Sequence, residues 1–342
     1  MPKKIKILFL GLLAPALLLT ACQIRMPDSG PPKPAVTEVT ISQSAPVLLS
    51  LPLYLADSLG FFAEENIQVR LLTKASPEEA LASLMGGESA FALATPEIAF
   101  YHSLQQNAGP TVFLAQLSVK SGYYLLARED AVSFAWPNLR GKSIIARPSG
   151  SMAEIFFEYL LRKNNLRASL DVPVIQNLPE HLIKGAFLAG TGNFVLAAEP
   201  LAADLEIETA AHSVAALEVP LDPLVTTVMM TTPDQLQNNL QMTQGLFFAL
   251  QQALVWIDAH PPEEIAQAAK EFFPAYGERM LLRAVSRYKT TGCWPVQAAV
   301  ETAGVHNFMQ LMLENKELGE EISVEQFIYR LPAEEDSGEI SF

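Results

Sequence analysis

Short apolar runs alternate with amphipathic stretches along most of the chain. Residues 39–42 and 67–72 alternate apolar and polar side chains, which is the period of a half-buried strand. A helix is predicted over 77–85, because Ser76 begins a capping box there. The apolar run 91–94 then predicts a short buried strand. Strands that alternate with helices in this way indicate parallel β-α-β units and an α/β fold.

The same pattern recurs and predicts a second α/β unit at about residues 128–225. Strands at 143–146, 172–176 and 194–198 accompany a helix at 152–163 in this part of the chain. The chain that follows has helical periodicity, with helices predicted over 234–259, 262–272, 276–286 and 295–314. We expect these helices to cover the first unit.

The N-terminus predicts export from the cytoplasm. Three lysines precede an apolar run over 7–19, which is too short for a membrane span and is interrupted by Pro15. The motif Leu-Thr-Ala-Cys that ends at Cys22 resembles the lipobox of bacterial lipoproteins, which implies that Cys22 is lipidated and becomes the first mature residue. An ordinary buried cysteine beside a signal peptide is the alternative. Residues 23–37 contain four prolines and little to bury, so they predict an extended tether.

Composition and charge narrow the possible functions. With 50% hydrophobic and 18% charged residues, the chain can bury a large core, which excludes a disordered protein. The net charge of −14 repels phosphate backbones, so nucleic acid is not an expected partner. Two cysteines cannot form a disulfide framework or a structural zinc site.

Recognised catalytic motifs are missing from the sequence. It contains no Gly-x-Ser-x-Gly elbow, His-Glu-x-x-His pair, phosphate-binding loop or Cys-x-x-Cys motif. Cys293 has no base beside it in sequence, and we expect a buried, inert thiol. The five histidines lack metal-ligand spacing and are expected to be solvated or internally bonded: His102, His181, His212, His260 and His306. The sequence therefore predicts neither a metal nor a cofactor.

Four loops at the carboxyl ends of predicted strands are candidates for a binding site. They are Gln43-Ser44-Ala45, Thr95-Pro96-Glu97, Pro148 to Ser151, and Glu199-Pro200. Ligands of open α/β sheets settle at such strand ends, where helix N-termini present unpaired amides. Two loops come from each half, which is the layout of a cleft between two lobes. Each loop taken singly is equally compatible with an ordinary turn or cap.

The order and spacing of several motifs resemble one transport family. Residues 52–69, 80–91, 139–151 and 197–200 resemble the ABC-transporter substrate-binding proteins for alkanesulfonates, nitrate and thiamine pyrimidine precursors. The resemblance implies a type II periplasmic-binding-protein fold. In that fold two α/β lobes, each a mostly parallel sheet flanked by helices, are joined by two crossover strands that act as a hinge and close on the ligand.

The resemblance implies a division of the chain into parts, although this sequence differs from its relatives at some motifs. The hinge strands are expected near 123–128 and 224–231. The expected parts are a signal peptide at 1–21, a tether at 22–37, a first lobe at 38–125 with 229–330, a second lobe at 126–228, and an acidic tail at 331–342. Relatives often show Asp in a Gly-x-x-Asp-Phe motif, whereas this chain has Gly87-Glu88-Ser89-Ala90-Phe91 and, elsewhere, Asn193 in Gly192-Asn193-Phe194. Fungal enzymes of pyrimidine synthesis share this fold but carry a cysteine-rich iron motif, which Cys293 alone does not reproduce.

Charged residues in the candidate loops point to two kinds of ligand. Arg147, followed by Ser149, Gly150 and Ser151 at a helix start, suits an anion such as a sulfonate. Glu97 and Glu199 would instead accept hydrogen bonds from an amine or an aminopyrimidine. Tyr54, Tyr101, Tyr123 and Tyr124 could stack on a flat ring or belong to the core. The predicted ligand-binding residues are Gln43, Ser44, Tyr54, Thr95, Glu97, Tyr123, Arg147, Ser149, Gly150, Ser151 and Glu199.

The combined expectation is an extracytoplasmic, monomeric lipoprotein that is not an enzyme. It captures a small molecule and delivers it to an ABC permease with a cytoplasmic ATPase. A nitrogen heterocycle such as a thiamine pyrimidine precursor is the preferred ligand, and an alkanesulfonate, nitrate or another small anion is the alternative. An enzyme on the same scaffold and an adhesin that binds a protein are the alternatives of another class.

Overall fold

Two five-stranded sheets form the framework of the fold. The computed structural model describes residues 35–128, 133–176, 178–209 and 211–329. In chain order the strands are β1 (Thr37–Gln43), β2 (Ile67–Thr73), β3 (Phe91–Ala94), β4 (Val112–Ser118), β5 (Tyr123–Ala127), β6 (Ile144–Ile145), β7 (Val174–Ile175), β8 (Phe194–Ala198), β9 (His212–Ala216) and β10 (Thr227–Thr231). The predicted signal peptide, Cys22, all but the last residues of the tether, and the acidic tail lie outside the described residues.

The helices separate most of these strands. They are α1 (Leu51–Ser58), α2 (Phe61–Glu64), α3 (Pro77–Met85), α4 (Pro96–Ser103), α5 (Met152–Lys163), α6 (Glu180–Leu188), α7 (Leu201–Thr209), α8 (Pro233–Asn238), α9 (Leu240–Ala259), α10 (Pro262–Ala269), α11 (Glu278–Thr290) and α12 (Thr302–Asn315). The alternation of strands and helices confirms the predicted α/β class.

The two sheets have matching topologies. The first has the strand order β2-β1-β3-β10-β4, and the second has the order β7-β6-β8-β5-β9. In the first sheet β1 runs parallel to β2 and β3, whereas β10 is antiparallel to its two neighbours. In the second, β6 is parallel to β7 and β8, and β5 is antiparallel to its neighbours. Each sheet is thus mostly parallel with one antiparallel strand inserted.

The chain passes between the sheets twice. It leaves the first sheet after β4 and enters the second at β5 through residues 119–122, and it returns from β9 to β10 through residues 217–226. β5 and β10 are therefore the strands that receive the chain after each crossing. Below, the first sheet with its helices is called lobe 1, and the second sheet with α5, α6 and α7 is called lobe 2.

Local sequence signals account for several element boundaries. The hydroxyl of Ser76 accepts from the backbone N–H of Glu79 at 3.3 Å, and the Glu79 carboxylate accepts from Ala75 N at 3.2 Å. This reciprocal arrangement confirms the predicted capping box at the start of α3.

Strands β3, β4 and β10 are buried at every residue, because other elements cover both faces of the sheet.

The C-terminal helices differ from the predicted ones in two places. Asn239 leaves the helical conformation and divides the predicted helix 234–259 into α8 and α9. The predicted helix 295–314 begins only at α12, because two glutamines hold residues 295–301 in an irregular path. Gln116 N donates to Ala298 O at 2.8 Å, and the Gln251 side chain bonds Val296 O and Ala298 N. These tertiary hydrogen bonds override the helical periodicity of the segment.

Some of the C-terminal helices contact elements outside lobe 1, which was not expected. Helices α9 and α10 pack against α1 in lobe 1, as predicted. Helix α11 instead contacts α7, and α12 contacts α5, both in lobe 2. The C-terminal helices therefore contact both lobes rather than covering lobe 1 alone.

Candidate functional site

A single carboxyl group forms hydrogen bonds in both lobes. Oε1 of Glu97 accepts from the Thr95 hydroxyl at 2.6 Å and from the backbone N–H of Met152 at 3.0 Å. Thr95 and Glu97 follow β3 in lobe 1, whereas Met152 begins α5 in lobe 2. The structure therefore brings two of the four predicted loops together at the carboxyl ends of their strands.

Glu97 is unusual because it is buried and only one of its two carboxyl oxygens accepts hydrogen bonds. The residue is 2% exposed, and its Oε2 atom has no hydrogen-bond partner among the described residues. Burial raises the pKa of this carboxyl to about 7, although the Thr95 and Met152 donors oppose the shift. At neutral pH the group is therefore divided between its protonated and ionised forms.

The loop before α5 is shaped by its own hydrogen bonds. Gly150 N donates to Oε2 of Glu154 at 3.3 Å, and the Ser151 hydroxyl donates to Pro148 O at 2.6 Å. Gly150 has φ +78°, and a Cβ atom added there would lie 3.4 Å from the Tyr101 hydroxyl of lobe 1. Ser149 is exposed. The loop thus approaches α4 with a residue that has no side chain.

Arg147 has a partner that the sequence analysis did not identify. Its Nη2 atom donates to Oε2 of Glu180 at 2.8 Å, and its guanidinium lies 6.0 Å from the ring centre of Tyr123. Burial raises the pKa of the Tyr123 hydroxyl, and the nearby Arg147 charge opposes that shift. The arginine expected to receive an anion is therefore already paired with a carboxylate.

Gln43 and Tyr54 form a separate polar contact within lobe 1. The Tyr54 hydroxyl donates to Oε1 of Gln43 at 2.8 Å, and the Tyr54 ring stacks on Phe272 with centroids 5.1 Å apart. Tyr54 is only 1% exposed, so it takes the core position that was the alternative to a stacking surface. Ser44 follows Gln43 and is half-buried.

Glu199 is engaged by the protein itself. Its Oε1 lies 2.7 Å from Nη1 of Arg287, an ionic contact without the alignment of a hydrogen bond. Its Oε2 accepts from Ala203 N at 2.9 Å. Arg287 also lies over the Tyr124 ring, 4.6 Å from its centre. Both carboxylate oxygens therefore have neighbours within the protein, and a hydrogen bond from a ligand amine to Glu199 stays a prediction.

The predicted residues thus fall into three groups. Thr95 and Glu97 meet the start of α5 between the lobes, and Gly150 of the loop before α5 approaches Tyr101. Tyr123 and Arg147 lie close to each other nearby. Gln43 and Ser44 lie at the end of β1, where Tyr54 of α1 donates to Gln43, and Glu199 follows β8. Within the described residues, no hydrogen bond joins Gln43 or Glu199 to the interlobe group. Four contributors were not among the predicted binding residues: Met152, Glu180, Phe272 and Arg287. Met152 had a local signal as the first residue of the predicted helix 152–163, and Glu180 had one as an acid in the first turn of α6.

Two other features of the described residues are a buried cysteine and a groove in lobe 1. Cys293 is buried, and burial raises the pKa of its thiol. A groove of about 420 Å³ between α3 and α4 includes Leu81, Met85, Ile98 and Tyr101 in its lining. Among the described residues no group of His, Cys, Asp and Glu is placed to hold a metal ion. No helix in that part of the chain combines the length and apolarity of a membrane span.

Comparison with known proteins identifies relatives. Residues 49–264, more than half of the chain, match the family model described as NMT1/THI5 like. The chain is 28% identical over 304 residues to YtlA of Bacillus subtilis (strain 168), which is named as a candidate binding protein, with coverage of 89% of this chain and 91% of YtlA.

Solved structures share the fold at low identity. The alkanesulfonate-binding protein SsuA from Xanthomonas axonopodis pv. citri, bound to MOPS, superposes with a TM-score of 0.69 at 14% identity, covering 87% of this chain and 100% of SsuA. The periplasmic nitrate-binding protein NrtA from Synechocystis PCC 6803 has a TM-score of 0.67 at 15% identity, covering 86% of each chain. The fold is therefore that of two-lobed periplasmic binding proteins.

Proposed function

The chain belongs to the NMT1/THI5-like family, and from that premise we propose that it is the solute-binding component of an ABC importer. It captures a small molecule between its lobes and delivers it to a permease driven by a cytoplasmic ATPase. The observation that carries the proposal is the hydrogen bond from Met152 N to Glu97, which brings strand-end loops of both lobes to one point. Ligand contacts from both loops favour the closed form over an open one.

The charges at this point favour a ligand that donates hydrogen bonds. Arg147 is paired with Glu180, whereas Oε2 of Glu97 is buried without a partner among the described residues. A buried acceptor without a donor costs about 1 to 3 kcal/mol, and a ligand N–H group removes that cost. We therefore propose a small nitrogen heterocycle, such as a thiamine pyrimidine precursor, as the ligand.

A small anion is the second candidate, supported by a different observation. The Glu180 carboxylate that pairs with Arg147 is 60% exposed, so an alkanesulfonate or nitrate could displace it. Ser149, Gly150, Ser151 and the first amides of α5 would then add donors to the anion. SsuA and NrtA, which share the fold, bind an alkanesulfonate and nitrate by their names.

The proposed setting is outside the cytoplasmic membrane. The lipobox-like motif at Cys22 and the proline-rich segment after it support a lipid-anchored monomer on a tether of residues 22–37. Lobe 1 is proposed to comprise residues 38–125 and 229–330, and lobe 2 residues 126–228. Labelling with a palmitate analogue in a bacterial host tests the anchor. The label should be incorporated into the natural chain and should not be incorporated into Cys22→Ser.

A binding screen on the soluble chain tests the function. Residues 23–342 are mixed with aminopyrimidines, alkanesulfonates and nitrate, and a ligand that raises the unfolding midpoint is titrated by calorimetry. We expect one small molecule per chain, recovered unchanged. Chemical conversion of the bound molecule would contradict the proposal in favour of an enzyme. Binding of a protein but of no small molecule would favour an adhesin.

A further inference from the structure

The surroundings of Glu97 are rich in acids. Three titratable groups from packed elements interact electrostatically with it: Glu78 of α3, Tyr101 of α4 and Tyr123 of β5. Glu154 of α5 and Glu317 after α12 act on Tyr101, and the Arg147–Glu180 pair acts on Tyr123. Arg147 is the cation of this set, and Glu180 already balances it. Within the described part of the chain, this neighbourhood therefore has no unpaired positive charge for an ionised Glu97.

The hydrogen bonds of Glu97 involve only one of its two carboxyl oxygens. Oε1 receives two donors, one from each lobe, whereas Oε2 receives none from the described residues. A carboxylate buried in this way is costly unless a proton or a cation neutralises it. Among the residues that the structure describes, no donor reaches Oε2, and Arg147 is already paired with Glu180.

We propose that the interlobe site takes a ligand that presents a cationic N–H group to Oε2 of Glu97, and that Glu97 releases its proton when this ligand binds. The inference rests on the proposed function and specifies the charge of the solute. In the empty closed form a proton on the carboxyl neutralises the buried charge. A ligand ammonium or amidinium takes over that role, and the proton passes to solvent.

Burial supports this exchange because it raises the pKa of Glu97 to about 7. A cation beside the carboxylate lowers that pKa again, so the liganded form binds fewer protons than the empty closed form. Affinity for a cationic ligand therefore increases with pH, by at most about tenfold per unit below pH 7, and levels off above it. For a neutral ligand, Glu97 does not make the affinity depend on pH in this way.

Two matched probes test the charge of the ligand. The first is an aminopyrimidine that carries a protonated aminomethyl arm, and the second is the same ring with a hydroxymethyl arm. Calorimetry at pH 6 in buffers of different ionisation enthalpy measures proton release. We expect the aminomethyl probe to bind at least about tenfold more tightly, with proton release that disappears in Glu97→Gln. Glu78→Gln, which removes an exposed acid on neighbouring α3, should keep the release.

A measurement without ligand tests the proton on Glu97 directly. Because the folded-state pKa is raised, the carboxyl contributes stability that is present below pH 4.5 and is lost as pH rises through about 7. The free energy of unfolding of the natural chain, relative to that of Glu97→Gln, should therefore fall between pH 5 and pH 7. A difference that stays constant over this range would overturn the proposal.

The outcomes separate this inference from the function on which it rests. Equal or tighter binding of the hydroxymethyl probe, or binding of an anion in place of both probes, would overturn the cationic ligand and leave a solute-binding protein. Failure of every small molecule to bind would contradict both. Proton release that persists in Glu97→Gln would show that another group titrates and would also overturn the assignment.

Discussion

Nη1 of Arg287 lies 2.7 Å from Oε1 of Glu199, and the two side chains belong to elements far apart in sequence. Arg287 lies on α11, and its Nη2 also contacts Glu206 of α7. Two residues further along α11, Lys289 donates from Nζ to three carbonyls at the end of α9 in lobe 1. Helix α11 therefore joins the end of α9 to the strand-end loop and α7 of lobe 2.

Replacing Arg287 by Met should destabilise the protein strongly. The side chain of Glu199 is fully buried, so removal of its cation leaves a charge without compensation. We expect the free energy of unfolding in urea to fall by about 3 to 5 kcal/mol. The double variant Arg287→Met with Glu199→Gln should recover part of this loss, because the uncompensated charge of Glu199 is also removed and Glu206 keeps Arg283 as a partner.

Arg283 supplies a matched control for this substitution. It lies on the same helix and pairs with Glu206, but its side chain is 49% exposed. Arg283→Met should cost no more than about 1 kcal/mol. Equal losses for the two arginines would contradict a buried ion pair at Glu199.

Gly122 in the first crossing segment should not tolerate a side chain. A Cβ atom added there would lie 2.5 Å from the Tyr288 hydroxyl and 2.7 Å from Cδ2 of Leu49. The same hydroxyl donates to Gly122 O and accepts from Glu199 N, so a shift would break both bonds. Gly122→Ala should lower the free energy of unfolding by about 3 kcal/mol or more.

Gly292 separates the steric effect from backbone strain. Its φ of +65° matches the +67° of Gly122, but no atom lies within 4 Å of an added Cβ. Gly292→Ala should therefore cost only about 1 to 2 kcal/mol, the penalty of the left-handed conformation. If denaturation curves show the same loss for both alanine variants, the packing of Tyr288 on Gly122 is not important for stability.

Gly150→Ala should weaken ligand binding more than it weakens the fold. The new methyl group would lie 3.4 Å from the Tyr101 hydroxyl, between the interlobe loop and α4. We expect a loss of about tenfold in affinity for the solute found by the screen, measured by calorimetry, because this loop must fit closely when the lobes close. Gly141→Ala has a comparable φ of +72° and open surroundings, and its affinity should stay unchanged.

The thiol of Cys293 should be inert in the folded protein. It is fully buried, and burial raises its pKa, so the reactive thiolate is scarce. In a Cys22→Ser chain, iodoacetamide at pH 8 should modify Cys293 only after urea unfolds the protein. Rapid alkylation under native conditions would contradict the packing around this residue.

Local signals in the sequence predicted the elements better than the contacts between them. The capping box at Ser76 and the loops at 95–97 and 148–151 depend on nearby residues, and the structure places these loops together at Glu97. The irregular path of 295–301 could not be predicted, because Gln116 and Gln251 that hold it are distant in sequence.

The sequence likewise could not show which residues pair with the predicted charged residues. Arg147 and Glu199 were identified as charged groups at strand ends, but Glu180 and Arg287 reach them only through tertiary packing. Helical periodicity shows that a residue faces outward or inward, and it does not show which charge it meets. The environment of Glu97 depends on the same long-range information, because one of its two donors, Met152 N, belongs to α5 in the other lobe.

Small-angle X-ray scattering, with and without the solute found by the screen, tests most directly whether ligand closes the two lobes. The measurement is best made at pH 8, where Glu97 in the empty protein is mostly ionised and closure without ligand is least favourable. The account predicts that saturating ligand reduces the radius of gyration and shortens the longest interatomic distances. An unchanged scattering profile with a ligand shown by calorimetry to be bound would contradict capture by lobe closure.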